Sequence, residues 1–92
     1  MKPPPLRLIA DDPTSLAALE PAVSSAAAKG YARIAIDLGR LPRLEIPDVR
    51  QLIRLRRIAH DRGTSVDLHV GSPDHRRTLE ALGLDRLFAF LP

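Results

Sequence analysis

The sequence contains no cysteine. Disulfides, thiolate zinc sites, cysteine nucleophiles and iron–sulfur clusters are therefore excluded. Small secreted domains often depend on disulfides, so the expectation is a cytoplasmic protein. Aromatic residues are nearly as scarce: Tyr31, Phe88 and Phe90 make up 3% of the chain, and tryptophan is absent. A core must then be assembled from Leu, Ile, Val and Ala, and stacking platforms for nucleic-acid bases are missing. The five glycines are scattered, which leaves no Gly-rich phosphate loop. No apolar run is long enough for a signal peptide or a membrane span, so membrane insertion is not expected.

What remains is a chain of 92 residues with a globular balance, 45% apolar and 27% charged. That length suits one domain over residues 1–92, with a Pro-rich lead-in at 1–5. The net charge is +3, and arginine supplies most of the cations. A total this small is weak evidence for nucleic acid, because phosphate binding depends on clustering.

The pattern along the chain predicts β-α-β-α-β-α-β. Leu6 to Ala10 reads as a short strand. Asp12-Pro13 opens a helix that Gly30 closes, with Pro21 expected to kink it or delay its start. Ala32 to Leu38 has the branched, apolar character of a buried strand. Pro47 opens the longest helix, running to about Arg62 and stopped by Gly63. Thr64 to Val70 alternates, which predicts a half-exposed strand with Val66, Leu68 and Val70 inward. Ser72-Pro73 caps a third helix that ends at Leu82-Gly83, and Phe88 to Leu91 forms a last strand. One core is expected from Ile34, Ile36, Leu52, Ile53, Val66, Leu68, Leu79 and Leu82. Alternation of this kind implies an α/β fold with helices packed on a sheet.

Catalytic chemistry is sparse. His60, His69 and His75 occupy a helix, a strand and a helix start, and none has a second ligand at metal spacing, so surface histidines are expected. Ser24, Ser25 and Ser65 have no nucleophile elbow or adjacent base. These absences imply a non-enzyme without cofactor or metal. Arg50, Arg54 and Arg57 share one side of the long helix, with Arg40 and Arg43 just before it and Asp61 diluting the stripe. Such a run is either a solvated helix face or a basic stripe that docks an acidic partner or a phosphate.

From Tyr31 onward the chain resembles a STAS domain, the module of sulphate transporters and anti-sigma-factor antagonists. The resemblance rests on Ile34-Ala35-Ile36-Asp37-Leu38, the helix from Pro47 to Arg62 with Gly63 after it, and Val66 to Val70. Its most specific part is Thr78-Leu79-Glu80-Ala81-Leu82-Gly83-Leu84-Asp85-Arg86-Leu87-Phe88. It implies a mixed sheet of about four to five strands against three to four helices. The family motif Asp-Ser-Ser-Gly, whose first serine is phosphorylated by a partner kinase, falls here on Glu45-Ile46-Pro47-Asp48. Ile46 stands at the acceptor position and has no hydroxyl, so the phospho-switch is absent.

The resemblance implies a non-catalytic bacterial regulatory module that binds an anti-sigma factor or kinase-like regulator. Glu45, Ile46, Pro47, Asp48 and Arg50 form its partner-facing edge. Glu45 and Asp48 are expected to choose a basic partner surface, unless Ile46 folds inward as a helix staple. A second reading is an accessory subunit on the ATPase or permease of a membrane transporter, for example a lipid-transport ABC system. Neighbouring genes separate these two. A third, nucleic-acid binding through the Arg stripe, would show steep salt dependence and is not expected.

Overall fold

The computed structural model describes residues 5–10 and 15–91. Its strands are β1 (Leu6–Ile9), β2 (Arg33–Asp37), β3 (Ser65–His69) and β4 (Ala89–Leu91). Its helices are α1 (Ser15–Ala18), α2 (Glu20–Ala28), α3 (Ile46–His60) and α4 (Pro73–Ala81), with one 3₁₀ turn at Leu84–Arg86. The expected α/β fold is present. One detail differs: the sheet is not mixed, because all pairings among the described residues are parallel, in the order β1-β2-β3-β4.

Spatial order equal to chain order has a physical consequence. Right-handed crossovers that always step the same way place every helix on one face of the sheet. Ile34, Ile36, Val66 and Leu68 point into that face and are buried with Leu16, Val23, Leu52, Leu55, Leu79 and Phe88 in one core. The other face carries Arg7, Arg33, Ala35, Asp37, Asp67 and His69, the alternate positions of the same strands. Arg7 pairs with Asp37 there, and Arg33 lies 3.3 Å from the Asp67 carboxylate.

That second face corrects the reading of β3 as half-exposed. Asp67 is buried, since β3 is flanked by strands on both sides and Ala35 and Ala89 are its neighbours in register. Small neighbours let the Arg33 side chain reach across to it.

Between β1 and β2 the helical run breaks at Leu19, and Pro21 lies in the first turn of α2, where its missing N–H costs nothing. The cap expected at Asp12-Pro13 lies outside the described residues, as do Pro3 and Pro4 of the lead-in. At the far end of α4 the core expectation fails for one residue. Leu82 is 46% exposed, because Gly83 turns the chain left-handed at φ +78° and brings Leu84 and Phe88 inward instead. Ile53 is half-buried on the flank of α3 rather than central.

The Arg7–Asp37 pair gives a pH dependence. The Arg7 guanidinium and then the Gly39 N–H, 2.8 Å from Oδ1, hold the Asp37 carboxyl below the ordinary aspartate value. A depressed folded-state pKa contributes stability that is full above the unfolded value, about 3.9. It is lost as pH falls through the folded value. Denaturant midpoints measured from neutral pH downward should therefore fall more steeply below about pH 4 in the parent than in Asp37→Asn. Equal slopes would show that this pair does not couple to folding.

Candidate functional site

In parallel α/β sheets, ligands and partners meet the loops at the carboxyl ends of the strands. The loop after β2 is such a connection, and it is held from below. Leu38 N–H donates to the His69 carbonyl at 3.0 Å and Leu41 N–H to the Leu38 carbonyl at 3.1 Å. Leu38 and Leu41 are both buried. His75, in the first turn of α4, donates from Nε2 to the Leu41 carbonyl at 2.8 Å. His75 is only 7% exposed, which overturns its reading as a surface histidine. The sequence signal was its spacing of four from Leu79, the other buried residue of α4.

From this anchored loop the chain enters α3 through Glu45, an extended residue at φ −108° and ψ 169°. The Glu45 N–H donates to Asp48 Oδ2 at 2.8 Å. Asp48 is 7% exposed and serves the helix start from inside it. The expectation that Asp48 offers its charge to a partner is corrected here, because the carboxylate is engaged by the backbone. Glu45-x-x-Asp48 has the spacing of a capping box, so this role was readable in the sequence.

Ile46 does not fold inward. It is 53% exposed, while the staple positions either side of the cap are Leu44 and Val49, both packed in the core. Helix α3 begins at Ile46, one residue before the expected Pro47, and Pro47 falls in its first turn. Glu45, Pro47 and Arg50 are exposed beside Ile46. A shallow hollow of about 400 Å³ lies in front of the helix, lined by Pro42, Arg43, Glu45, Pro47 and Asp48. The structure thus gathers all five expected site residues at the head of α3, four of them exposed and Asp48 nearly buried in the lining of the hollow.

Further along α3, Arg54 reaches Glu20 of α2 through Nε at 3.1 Å and Nη2 at 3.3 Å, and Gln51 joins the same carboxylate at 3.3 Å. The Arg54 guanidinium is the main cause that holds the Glu20 carboxyl below its ordinary range. At the opposite, amino-terminal end of the strands, a hollow of about 210 Å³ includes Arg33, Arg56 and His60. Arg33 is paired with Asp67, and Arg56 Nε donates to the Leu87 carbonyl at 2.9 Å. No cluster of His, Cys, Asp or Glu with metal-site geometry occurs among the described residues. Nor is any described helix long and apolar enough to cross a membrane.

The chain was compared with known proteins. A family model described as "Mlab, STAS domain" matches residues 11–92. No curated protein matches the sequence significantly. Among solved structures, the Bacillus cell fate determinant SpoIIAA in its phosphorylated form is similar at TM-score 0.62 and 19% identity. That match covers 94% of this chain and 79% of SpoIIAA. The anti-sigma factor antagonist SpoIIAA in its unphosphorylated form gives TM-score 0.63 and 17% identity, covering 94% of this chain and 76% of the other. At these identities the likeness is one of fold.

Proposed function

Because the chain belongs to the STAS family, we propose that it is a non-catalytic protein-interaction module that docks through the head of α3. The setting is bacterial, cytoplasmic regulation resembling that of an anti-sigma-factor antagonist, with an anti-sigma factor or kinase-like regulator as partner. The observation that carries this reading is Ile46. At 53% it is the most exposed large aliphatic side chain among the described residues, and it stands at a helix start whose core end Leu44 and Val49 already seal. Glu45, Pro47 and Arg50 complete the contact, and Asp48 positions them.

The docking is constitutive. Residues 43 to 50 contain no hydroxyl, so nothing at this edge accepts a phosphate. Incubation with a kinase of the partner type and ATP should leave the intact mass of the chain unchanged. A phosphate added at a hydroxyl elsewhere in the chain would overturn constitutive docking, because a switch would then operate outside the aligned window.

The missing switch also favours a second setting. A surface that is always competent suits a permanent subunit, such as an accessory STAS protein on the ATPase or permease of a membrane transporter. Affinity purification from the native host, followed by measurement with Ile46→Ser, tests both. Loss of about tenfold or more in affinity with an unchanged melting temperature supports the docking edge; one desolvated aliphatic contact has that scale. Full affinity in Ile46→Ser would place the edge elsewhere.

A further inference from the structure

The outer side of α3 continues from the docking edge. Ile46, Arg50, Ile53 and Arg57 are spaced i, i+4, i+7 and i+11, which puts them on one side of the helix over about 16 Å. They flank the buried face formed by Val49, Leu52, Leu55 and Ala59. Ile46 is exposed and Ile53 half-buried, so both offer apolar surface. The two arginines differ from Arg54 in an instructive way. Arg54 is held by Glu20, whereas no carboxylate among the described residues lies within 4.0 Å of Arg50 or Arg57. A shallow groove of about 390 Å³ runs between them, lined by Pro47, Arg50, Gln51, Ile53, Arg54 and Arg57.

We propose that this Ile–Arg stripe receives an acidic, amphipathic protein segment, one that seats apolar side chains on Ile46 and Ile53 and carboxylates on Arg50 and Arg57. The proposal rests on the reading of the α3 head as the docking edge and gives its partner a charge. Around Ile46 itself Arg43 and Arg50 balance Glu45 and the nearly buried Asp48, and the cationic excess lies along the stripe, where Arg57 follows Arg50 with no carboxylate between them. The partner is therefore acidic, the reverse of what the carboxylates in the motif window suggest. Guanidinium groups bind carboxylates in a bidentate fork, and Arg is enriched in protein interfaces. Arg50 and Arg57 stand about 10 Å apart along the axis, two helical turns, so an α-helix laid alongside meets them with carboxylates seven residues apart. Nucleic acid fits worse. Phosphates gain nothing from two isoleucines, and no aromatic side chain lies along the stripe for base stacking.

The test uses the full chain and fluorescent amphipathic peptides that share one apolar stripe and differ only in flanking it with Glu, Lys or Gln. An unstructured oligonucleotide is the fourth probe. The Glu peptide should bind about tenfold or more tighter than the Lys peptide, and Arg50→Glu with Arg57→Glu should invert that order. Arg54→Ala should leave the preference intact, since Arg54 is already engaged by Glu20. Circular dichroism checks that each variant keeps its fold. Equal affinity for Glu and Lys peptides would overturn the proposal, and so would an oligonucleotide that binds tightest with a steep salt slope. Once the native partner is in hand, the two ideas separate. Loss of binding in Ile46→Ser but not in Arg57→Glu, which lies outside the edge, sinks the stripe and keeps the docking edge. Full affinity in Ile46→Ser sinks the edge and, with it, the stripe that rests on it.

Discussion

Leu52→Ala should lower the unfolding free energy by about 2–5 kcal/mol. Leu52 is fully buried in the middle of α3, within the core that joins sheet and helices. Truncation removes apolar contact and leaves a cavity that neighbours with few alternative rotamers cannot fill. A chain of 92 residues has about 5–14 kcal/mol in total, so the loss is a large fraction of it. At about 4–8 °C per kcal/mol, the melting temperature should drop by roughly 8–40 °C. Ile53→Ala, one residue along but half-exposed, should cost clearly less, and Leu82→Ala less again. A urea titration reads all three, with midpoints moving and slopes unchanged. Should Leu52→Ala cost under about 1 kcal/mol, the helix phase of α3 would be wrong.

Asp48→Lys is the second large effect. Its carboxylate accepts from the Glu45 N–H at 2.8 Å in a nearly buried position. Losing that acceptor costs about 0.5–2 kcal/mol as for other helix caps. The ammonium then either stays near a helix end of like partial charge or drags its stem out of the packing. Together these should destabilise the free protein by about 2–4 kcal/mol. Glu45→Lys, exposed at the same helix start, should cost well under half of that. If Asp48→Lys instead left the melting temperature unchanged, Asp48 would be a surface group after all. The contrast matters for binding studies, because Asp48 variants report on folding while Ile46 variants report on the docking surface.

Much of the architecture was legible because it is local. The alternation in β3, the branched run of β2, the caps at Pro47 and Ser72-Pro73, and the glycine stops each need only a few adjacent residues. Two of the breaks from expectation involve a distant neighbour, and a third involves a turn. Asp67 is buried because Arg33 and two alanines surround it, His75 because it ties Leu41 to α4, and Leu82 is exposed because Gly83 redirects the chain. Periodicity assigns a side chain to a face but says nothing of what arrives to cover that face. The site was half legible for the same reason. The α3 head and its exposed isoleucine could be located, while the sign of the surrounding charge depended on which acids the fold turns inward.

The sheet order described above also bears on how the chain is assembled. Leu6 pairs with Ile34, Ile34 with Val66, and Asp67 with Ala89, so each strand joins the one made just before it. During synthesis, the edge that a new strand needs is therefore already displayed when it emerges. Among the described residues no strand waits for a later one to be inserted beside it, which is the arrangement that leaves apolar edges open to other chains. Growth in one direction leaves β4, three residues long, as the finishing edge. Its shortness blunts that edge, and a nascent chain halted before Ala89 would instead display the longer edge of β3.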